Sequence, residues 1–508
     1  MDQVPSQMMQ VFKILIGAWP GIFLAVFLFF AMINPSGLLG DPGVYWHIRA
    51  GEWMLDHLRV LRHDPFSQSG MPWVPTQWLA EIVMAVAYQT AGFAGVTTLA
   101  SLLIATWVSI PVRRWFLAGM HPILVWFLAL VVLKVGAIQI HARPLLVTFL
   151  STTILAFTIA DIERGRSRVS RMIWLLFLAV LWANCHGGYL GGLAMLGVAG
   201  TVWTVQACFG TGPLAERNQW WLFAFGMLGW VLAPLVSPFG FGLYQEWFSI
   251  WFKLDLSSYI LEHQPPQLTD FYMITLYVVT LVLVLFMLLS RERKKCLASL
   301  AIFASWLVMT FKRARNAPMA ISSATPFFEE AWLQAVQANK VREDWVIRNP
   351  MAISNSILGG VVLFVAGVFC LASAQKLQVH APQKLPLDMV EALQGLERTH
   401  GHGAPVYNGL NDGGFLIFFA RNLKAFQDDR CEIHAFRDGD THGNWQKQML
   451  DLELNQPEGL LAELQKRNIH IVFIPQSKRL SEVLAKNPSW KAIQKGSTHT
   501  IWVHSDEK

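Results

Sequence analysis

Charge is scarce in this sequence of 508 residues: Asp, Glu, Lys and Arg make up 15%, against 54% hydrophobic residues and a mean hydropathy of +0.38. A soluble chain of this length carries a charged exterior that dilutes its core, so the shortage excludes an ordinary soluble globule. Cysteine is nearly absent. The five present are odd in number, and Cys185, Cys208, Cys296 and Cys370 fall in apolar surroundings, which excludes a disulfide framework and a paired-cysteine metal motif. Internal repeats and low-complexity tracts are missing too. No small-residue cleavage site follows the first apolar run, which is therefore expected to stay in place as an anchor.

What the sequence does contain is a series of apolar runs about twenty residues long, the length that crosses a bilayer as a helix. About eleven spans are expected, near 11–33, 93–112, 121–140, 145–161, 172–185, 189–208, 219–236, 271–290, 296–311, 316–333 and 351–374. The net charge of +6 sits in short loops between these runs. Arg113 and Arg114; Arg164, Arg166, Arg168 and Arg171; Arg217; Arg291, Arg293, Lys294 and Lys295; and Lys340 and Arg342 occupy alternate loops, which the positive-inside rule makes cytoplasmic. The pattern sets topology and does not form a nucleic-acid-binding face. It places the amino terminus inside, and residues 34–76 and the tail after 374 outside. One basic cluster, Lys312, Arg313 and Arg315, falls on the outer side against the rule, and a local breach of this kind is a functional candidate.

The tail changes character. Short β-rich runs (APVYN, FLIFFA, IHIVFIP, HTIWVH) alternate with helical patterns (PEGLLAELQKRN, SKRLSEVLAKN), which predicts a small α/β domain. The expected fold is mainly α: a polytopic helical bundle over 1–376 with an amphipathic first-loop helix, and a soluble extracytoplasmic α/β domain over 377–508.

The ionisable residues crowd the outer boundary. Directly after the first apolar run comes GDPGVYWHIRAGEWML, where Asp41 and Pro42 are helix-start residues. Val44, Ile48, Gly51, Leu55 and Leu58 then form one stripe, with Tyr45, Arg49, Glu52 and Asp56 off it, predicting an amphipathic helix on the membrane surface. Asp41 is either its cap or a reactive carboxylate; the residues alone leave both open. The loop continues through His63 and Asp64 to GMPWVPTQWLAEI, which carries Gln77 and Glu81. On the same side lie His141 and Arg143, Asn184 and His186 in WANCHGGYLGG, Glu246, Glu262, His263 and Asp270, and Arg313 and Arg315. Ionisable groups at a membrane boundary are costly unless used. Together they predict a site for a substrate with negative charge, a phosphate held by arginine. Lys134, nearer the middle of its span, is expected in an interhelical ion pair. In the tail, HAFRDGDTHGNW gathers His434, Asp438, Asp440 and His442 and reads as a solvated turn ahead of a metal loop.

The arrangement of Asp41 after the first helix, a surface helix and a Pro- and aromatic-rich return loop resembles the GT-C superfamily of integral-membrane glycosyltransferases. With HDPFS, ARP, WANCHGG, LVSPFG, VYNGLNDGGFLIFF and KAFQDDR in order, it is similar to a bacterial branch with an extracytoplasmic α/β tail. Two departures stand out: Gln77 occupies the place of an expected acid, leaving Glu81 to supply the second carboxylate, and RARNAP lacks an expected histidine. The resemblance implies sugar transfer from a polyprenyl-phosphate donor to an acceptor outside the cytoplasm: a cell-envelope glycan, polysaccharide, lipid or protein. It implies catalytic roles for Asp41, Asp64 and Glu81, and substrate contacts from His47, Arg49, His63, Gln77, His141, Arg143, His186, Glu262, Arg313 and Arg315. Asp41 would take the acceptor proton and the arginines would stabilise the departing phosphate. A divalent cation, Mg or Mn, on Asp41, His63 or Asp64 is compatible with this chemistry, although no spacing specifies one. Gly413 and Gly414 would let a tail loop pack closely over the site. The rival readings are a polytopic transporter, which favours midplane polar residues and internal repeats, and a non-catalytic scaffold of polysaccharide assembly, in which Asp41 is only a cap.

Overall fold

The computed structural model describes residues 19–258, 260–290, 292–338, 341, 385–440 and 444–505; the expected span at 351–374 lies outside them. Six helices among the described residues are long and apolar enough to cross a membrane: Trp78–Leu117, Pro122–Gln139, Leu145–Glu163, Tyr189–Cys208, Phe271–Leu289 and Arg293–Lys312. Shorter apolar helices cover Trp19–Ile33 and Leu176–Cys185. Arg217–Leu232 and Ala317–Gln337 fall where spans were expected at 219–236 and 316–333. The described residues form two compact units. One gathers 19–38, 91–236 and 262–338; the other gathers 39–90, 237–261 and 385–505.

The first unit is a helical bundle. Its innermost helix, Ala317–Gln337, is rich in Ala, Ser and Thr and is buried along nearly its whole length. Small residues let backbones approach, and hydroxyls bond across helices where lipid offers no hydrogen bonds. Trp107 Nε1 donates to both Thr153 Oγ1 (3.1 Å) and Ser322 Oγ (3.0 Å), tying three helices together. At one end Arg114 forks onto Asp161 (2.7 and 2.8 Å) and Glu329 (2.9 and 3.0 Å), and Arg166 reaches Glu330 at 2.6 Å. Arg114, Arg164 and Arg166, expected as topology signals, are also ion-paired, with partners up to 215 residues away. Lys134 makes no expected ion pair among the described residues; its Nζ lies 4.6 Å from the Phe271 ring centroid.

The second unit is α/β. Strands β1 (Pro405–Asn408), β2 (Lys424–Ala425), β3 (Ile471–Pro475), β4 (Trp490–Lys495) and β5 (His499–His504) make one sheet in the order β2-β1-β3-β5-β4. The β2, β1 and β3 strands are parallel, and β5 runs antiparallel to β3 and β4. The run FLIFFA is not a strand but part of the helix Gly413–Phe419. A short, fully buried apolar run has no period that separates the two, so packing decides. Here an added Cβ at Gly414 would collide with the Pro42 backbone and one at Gly413 with Gln427 and Asp428. The two glycines thus bring a helix, not a covering loop, against the start of the helix Gly43–His57 and against the Gln427–Asp428 segment.

That helix differs from the expected surface helix. Tyr45 and Glu52, predicted off the apolar stripe, are buried, whereas Leu58 is 91% exposed in a left-handed C-cap. Trp46, Ala50 and Met54 share a core with Leu61, Phe66 and Trp73 of the first loop and with Ile417, Ala425 and Ile433 of the tail. The first loop also extends the sheet, with Gln68 N–H donating to Ala425 O at 3.0 Å and Ala425 N–H to Phe66 O at 3.2 Å. The loop 34–76, expected with the bundle, therefore contributes residues 39–76 to the compact unit of the tail. The helix Trp78–Leu117 breaks at the same division: Gly92 has φ 60° and ψ −149°, open only to glycine.

Gly51 tests this packing. A Cβ there would lie 2.7 Å from the Ala85 Cβ and strike the Glu81 carbonyl. Gly51→Ala should lower the thermal-unfolding midpoint of the detergent-solubilised chain, since overpacking costs about 1–3 kcal/mol. Gly395→Ala, where the new methyl meets only Arg398 Nη2 at 3.9 Å, should leave it unchanged or raise it. Equal midpoints for the two variants would refute the close helix contact.

Candidate functional site

In the bundle unit, three connectors converge their polar residues. Gln139 ends the helix region Pro122–Gln139, followed by His141 and Arg143; Glu262 and His263 precede Phe271–Leu289; Arg313 and Arg315 lie between Leu297–Lys312 and Ala317–Gln337. The local fold is set by backbone bonds, with Ala142 N–H donating to Leu38 O (2.8 Å) and Ala314 N–H to Gln264 O (3.0 Å). Glu262 is the hub. Its Oε2 accepts from Gln139 Nε2 at 2.7 Å, and its Oε1 lies 3.1 Å from Arg315 Nη1. Arg315 also contacts His263 Nε2. His186 joins electrostatically, through Arg315, Arg143 and Glu262. His141 stands at the edge, its Nδ1 3.3 Å from Gly37 O.

Burial would raise the Glu262 carboxyl, but Arg315, Arg143 and the Gln139 bond bring it down to about 2. Burial and the same arginines depress His186 to about 3 and His263 to about 2. At neutral pH Arg315 and Arg143 act on the Glu262 carboxylate, Arg313 acts on His263, and both imidazoles are uncharged. Burial first and the arginines second keep protons off the histidines, and the positive potential of the arginines favours an anion. The structure thus brings together Arg143, His186, Glu262, Arg313 and Arg315 from the expected set, and adds His263 and Gln139. Gln139 carried a signal in the sequence, a polar residue ending an apolar run just before IHARP.

The other expected residues belong to the α/β unit, and several have structural work. Asp64 accepts at Oδ1 from Arg430 Nη1 (2.8 Å) and Phe66 N–H (3.0 Å), and at Oδ2 from Ser67 Oγ, Ser67 N–H (3.2 Å) and Ser69 Oγ (3.3 Å). Its oxygens are committed to protein donors, which ties the carboxylate to the fold and not to acid–base chemistry. Arg430 lies between Asp64 and Asp428, with Nη2 2.6 Å from Asp428 Oδ2 and the Trp46, Phe66 and Trp73 ring centroids 4.8–5.6 Å away. His434 Nε2 sits 3.1 Å from Asp428 Oδ2, so this residue of the HAFRDGD segment is a buried partner of QDDR. Glu81 and His47 are both buried and paired at 3.1 Å, joining two helices. Arg49 binds Glu52 at 2.7 Å. Gln77 caps locally, its carbonyl accepting from Glu81 N–H at 3.0 Å, and His63 is exposed. Glu246 also falls in this unit, where burial and Glu432 push it up to about 7. Asp41 is half-buried, its Oδ1 accepting from Gly43 N–H at 2.8 Å as it starts the helix.

Among the described residues no three His, Cys, Asp or Glu side chains gather in a metal-holding group. Asp41, His63 and Asp64 do not form one, since Asp64 is saturated by Arg430 and the serines. No step is assigned to a metal here.

The Arg430 pairs make a stability prediction. Burial would raise Asp64 and Asp428, but Arg430 holds both below the usual carboxylate range. Their contribution is complete above the unfolded value of about 3.9 and is lost as pH falls through the lower folded values. The unfolding midpoint should therefore drop on acidification below about pH 4. Arg430→Gln should cost about 3–5 kcal/mol, because two carboxylates are left buried without a cation. Arg430→Lys should restore little of this, lacking the planar fork. A wild-type midpoint for Arg430→Lys at neutral pH would contradict the forked geometry.

No protein-family profile matches the chain, and no curated protein matches it in sequence. Solved structures match it in fold. An oligosaccharyltransferase from Archaeoglobus fulgidus aligns with a TM-score of 0.54 at 11% identity, covering 90% of this chain and 69% of that one. ArnT from Cupriavidus metallidurans, bound to undecaprenyl phosphate, aligns with a TM-score of 0.52 at 13% identity over 95% of this chain and 97% of that one. The mycobacterial arabinofuranosyltransferase AftD aligns with a TM-score of 0.51 at 12% identity, over 96% of this chain but 40% of that one. All three are membrane glycosyltransferases of the GT-C superfamily, and this chain has a polytopic, mainly helical GT-C-like membrane fold with a C-terminal α/β domain.

Proposed function

We propose that the chain is a glycosyltransferase of the bacterial inner membrane, moving a sugar from a polyprenyl-phosphate-linked donor to an extracytoplasmic acceptor. The acceptor class is a cell-envelope glycan, polysaccharide, lipid or protein. The observation that carries this reading is the convergence of Arg143 and Arg315 on Glu262, with Arg313 beside His263, and with His186 and His263 held uncharged by burial and by the arginines. Such a cluster suits the phosphate of a lipid carrier, and ArnT, which shares the fold, binds undecaprenyl phosphate.

In the proposed reaction an acceptor hydroxyl attacks the sugar's anomeric carbon. The bond from that carbon to the phosphate oxygen breaks, and the polyprenyl phosphate leaves with the bonding electrons. Asp41 takes the hydroxyl proton, and the arginines stabilise the charge that builds on the phosphate. A fixed guanidinium serves here better than an ammonium because its fork matches two phosphate oxygens.

Substitutions separate these roles. Arg143→Ala and Arg315→Ala should each weaken undecaprenyl-phosphate binding by roughly ten- to a hundredfold, the loss of a charge-assisted bond worth about 1.5–3 kcal/mol. Asp41→Asn keeps an oxygen for the Gly43 N–H, so expression and lipid binding should persist. Its turnover should fall by about a hundred- to ten-thousandfold, since an amide cannot take the proton. Full turnover in Asp41→Asn would leave the residue a cap, and unchanged binding in both arginine variants would remove the phosphate site.

The same reading fixes an orientation, with the amino terminus and the loop at Arg293–Lys295 in the cytoplasm and the α/β tail in the periplasm. Reporter fusions after Lys295 and Lys508 should report cytoplasm and periplasm respectively. A cytoplasmic tail would reverse the topology and separate the proposed acceptor side from the tail.

A further inference from the structure

His186 sits in the turn between the helices Leu176–Cys185 and Tyr189–Cys208, and its ring is fixed in one tautomer. Gly188 N–H donates to His186 Nδ1 at 2.9 Å. A backbone N–H can only donate, so Nδ1 is the acceptor nitrogen and the proton of the neutral ring lies on Nε2. Thr148 Oγ1 lies 2.9 Å from the same Nδ1 and accepts from Trp182 Nε1–H, also at 2.9 Å. Because Nδ1 carries no proton, the Thr148 hydroxyl is the donor of that pair. The motif is sterically closed: a Cβ at Gly188 would lie 2.7 Å from Thr148 Cγ2 and 2.8 Å from His186 Nδ1. Only glycine fits at 188 beside Thr148 and His186.

The other nitrogen is different. Nε2 has no hydrogen-bond partner among the described residues, and the charged groups acting on the ring are Arg315, Arg143 and Glu262. Burial and the two arginines keep the imidazole uncharged at neutral pH. A general-base role is closed to it, because Nδ1 already accepts from Gly188 and Thr148 while Nε2 carries the proton.

We propose that His186 presents this fixed, neutral Nε2–H to a phosphate oxygen of the polyprenyl-phosphate ligand, and that Thr148 is the positioning residue that holds the ring in that tautomer. The inference rests on the glycosyltransferase reading above. A neutral donor adds a directed hydrogen bond without adding another cation beside Arg143 and Arg315, and it cannot withdraw the bond by losing its proton near neutral pH.

The test uses the full chain in detergent with undecaprenyl phosphate as probe. Thr148→Val is isosteric but has no hydroxyl, and it should weaken binding by about tenfold, as the loss of one hydrogen bond does. Thr148→Ser should restore binding to within about threefold of wild type. His186→Gln sets an amide N–H2 near the place of Nε2 and should outbind His186→Asn, whose amide reaches only the place of Nδ1, by about tenfold. Wild-type affinity in folded Thr148→Val, or equal affinities for the Gln and Asn variants, overturns the proposal. If Thr148→Val fails to fold, the Gln and Asn pair decides. Failure of the wild-type chain to bind undecaprenyl phosphate overturns the glycosyltransferase reading together with this one, whereas normal wild-type binding with an indifferent Thr148→Val removes this inference alone.

Discussion

A guanidinium removed from water must find carboxylates to replace it, and the α/β unit is organised around that requirement at Arg430. The side chain is wholly buried, with Asp64 at 2.8 Å and Asp428 at 2.6 Å and three aromatic rings about it. Asp64 comes from the first loop and Asp428 from the tail, 364 positions apart by subtraction of their residue numbers. Neither carboxylate can be left behind, because an unpaired buried charge is far costlier than an unpaired apolar group. The pairing therefore specifies which loop docks on which strand edge. Phe66 and Gln68 then bond with Ala425 of β2, and Trp46 donates to Asp429 at 2.8 Å. A buried pair of this kind adds modest net stability but admits few alternative registers.

The bundle unit shows two contrasting uses of arginine. At Arg114, Arg164 and Arg166 the cations are matched by Asp161, Glu329 and Glu330, and the network is closed. About Glu262, Arg315 and Arg143 act on a carboxylate that also accepts from Gln139, and the two histidines nearby stay neutral. Matched charges hold helices together. Positive potential in a region of lowered dielectric favours an anionic ligand.

Much of this was legible in the residues. Runs of apolar residues gave the helices Pro122–Gln139, Leu145–Glu163, Tyr189–Cys208, Phe271–Leu289 and Arg293–Lys312 within a few residues, because a bilayer demands continuous length. The exceptional basic cluster at Arg313 and Arg315 drew attention, for an electrostatic reason that needs no coordinates, to the connector where Arg315 meets Glu262 and His263. Other readings failed for lack of a local signal. FLIFFA has no strand or helix period, and only the contact of Gly414 with Pro42 selects the helix. Asp64 looked reactive in HDPFS because nothing nearby in sequence announces Arg430.

Composition and the spacing of cations by themselves determined that the chain is a helical membrane protein, since hydrocarbon thickness and backbone satisfaction act on every stretch of sequence locally. Alternation in the tail determined an α/β element there. Tertiary structure alone decided which ionisable residues are spent on holding the fold. That choice depends on pairs distant in sequence: Asp64 with Arg430, His47 with Glu81, and Thr148 with His186. A carboxylate or an imidazole takes its chemical character from the charge and hydrogen-bond donors packed within a few ångströms, and a linear pattern does not bring those neighbours together.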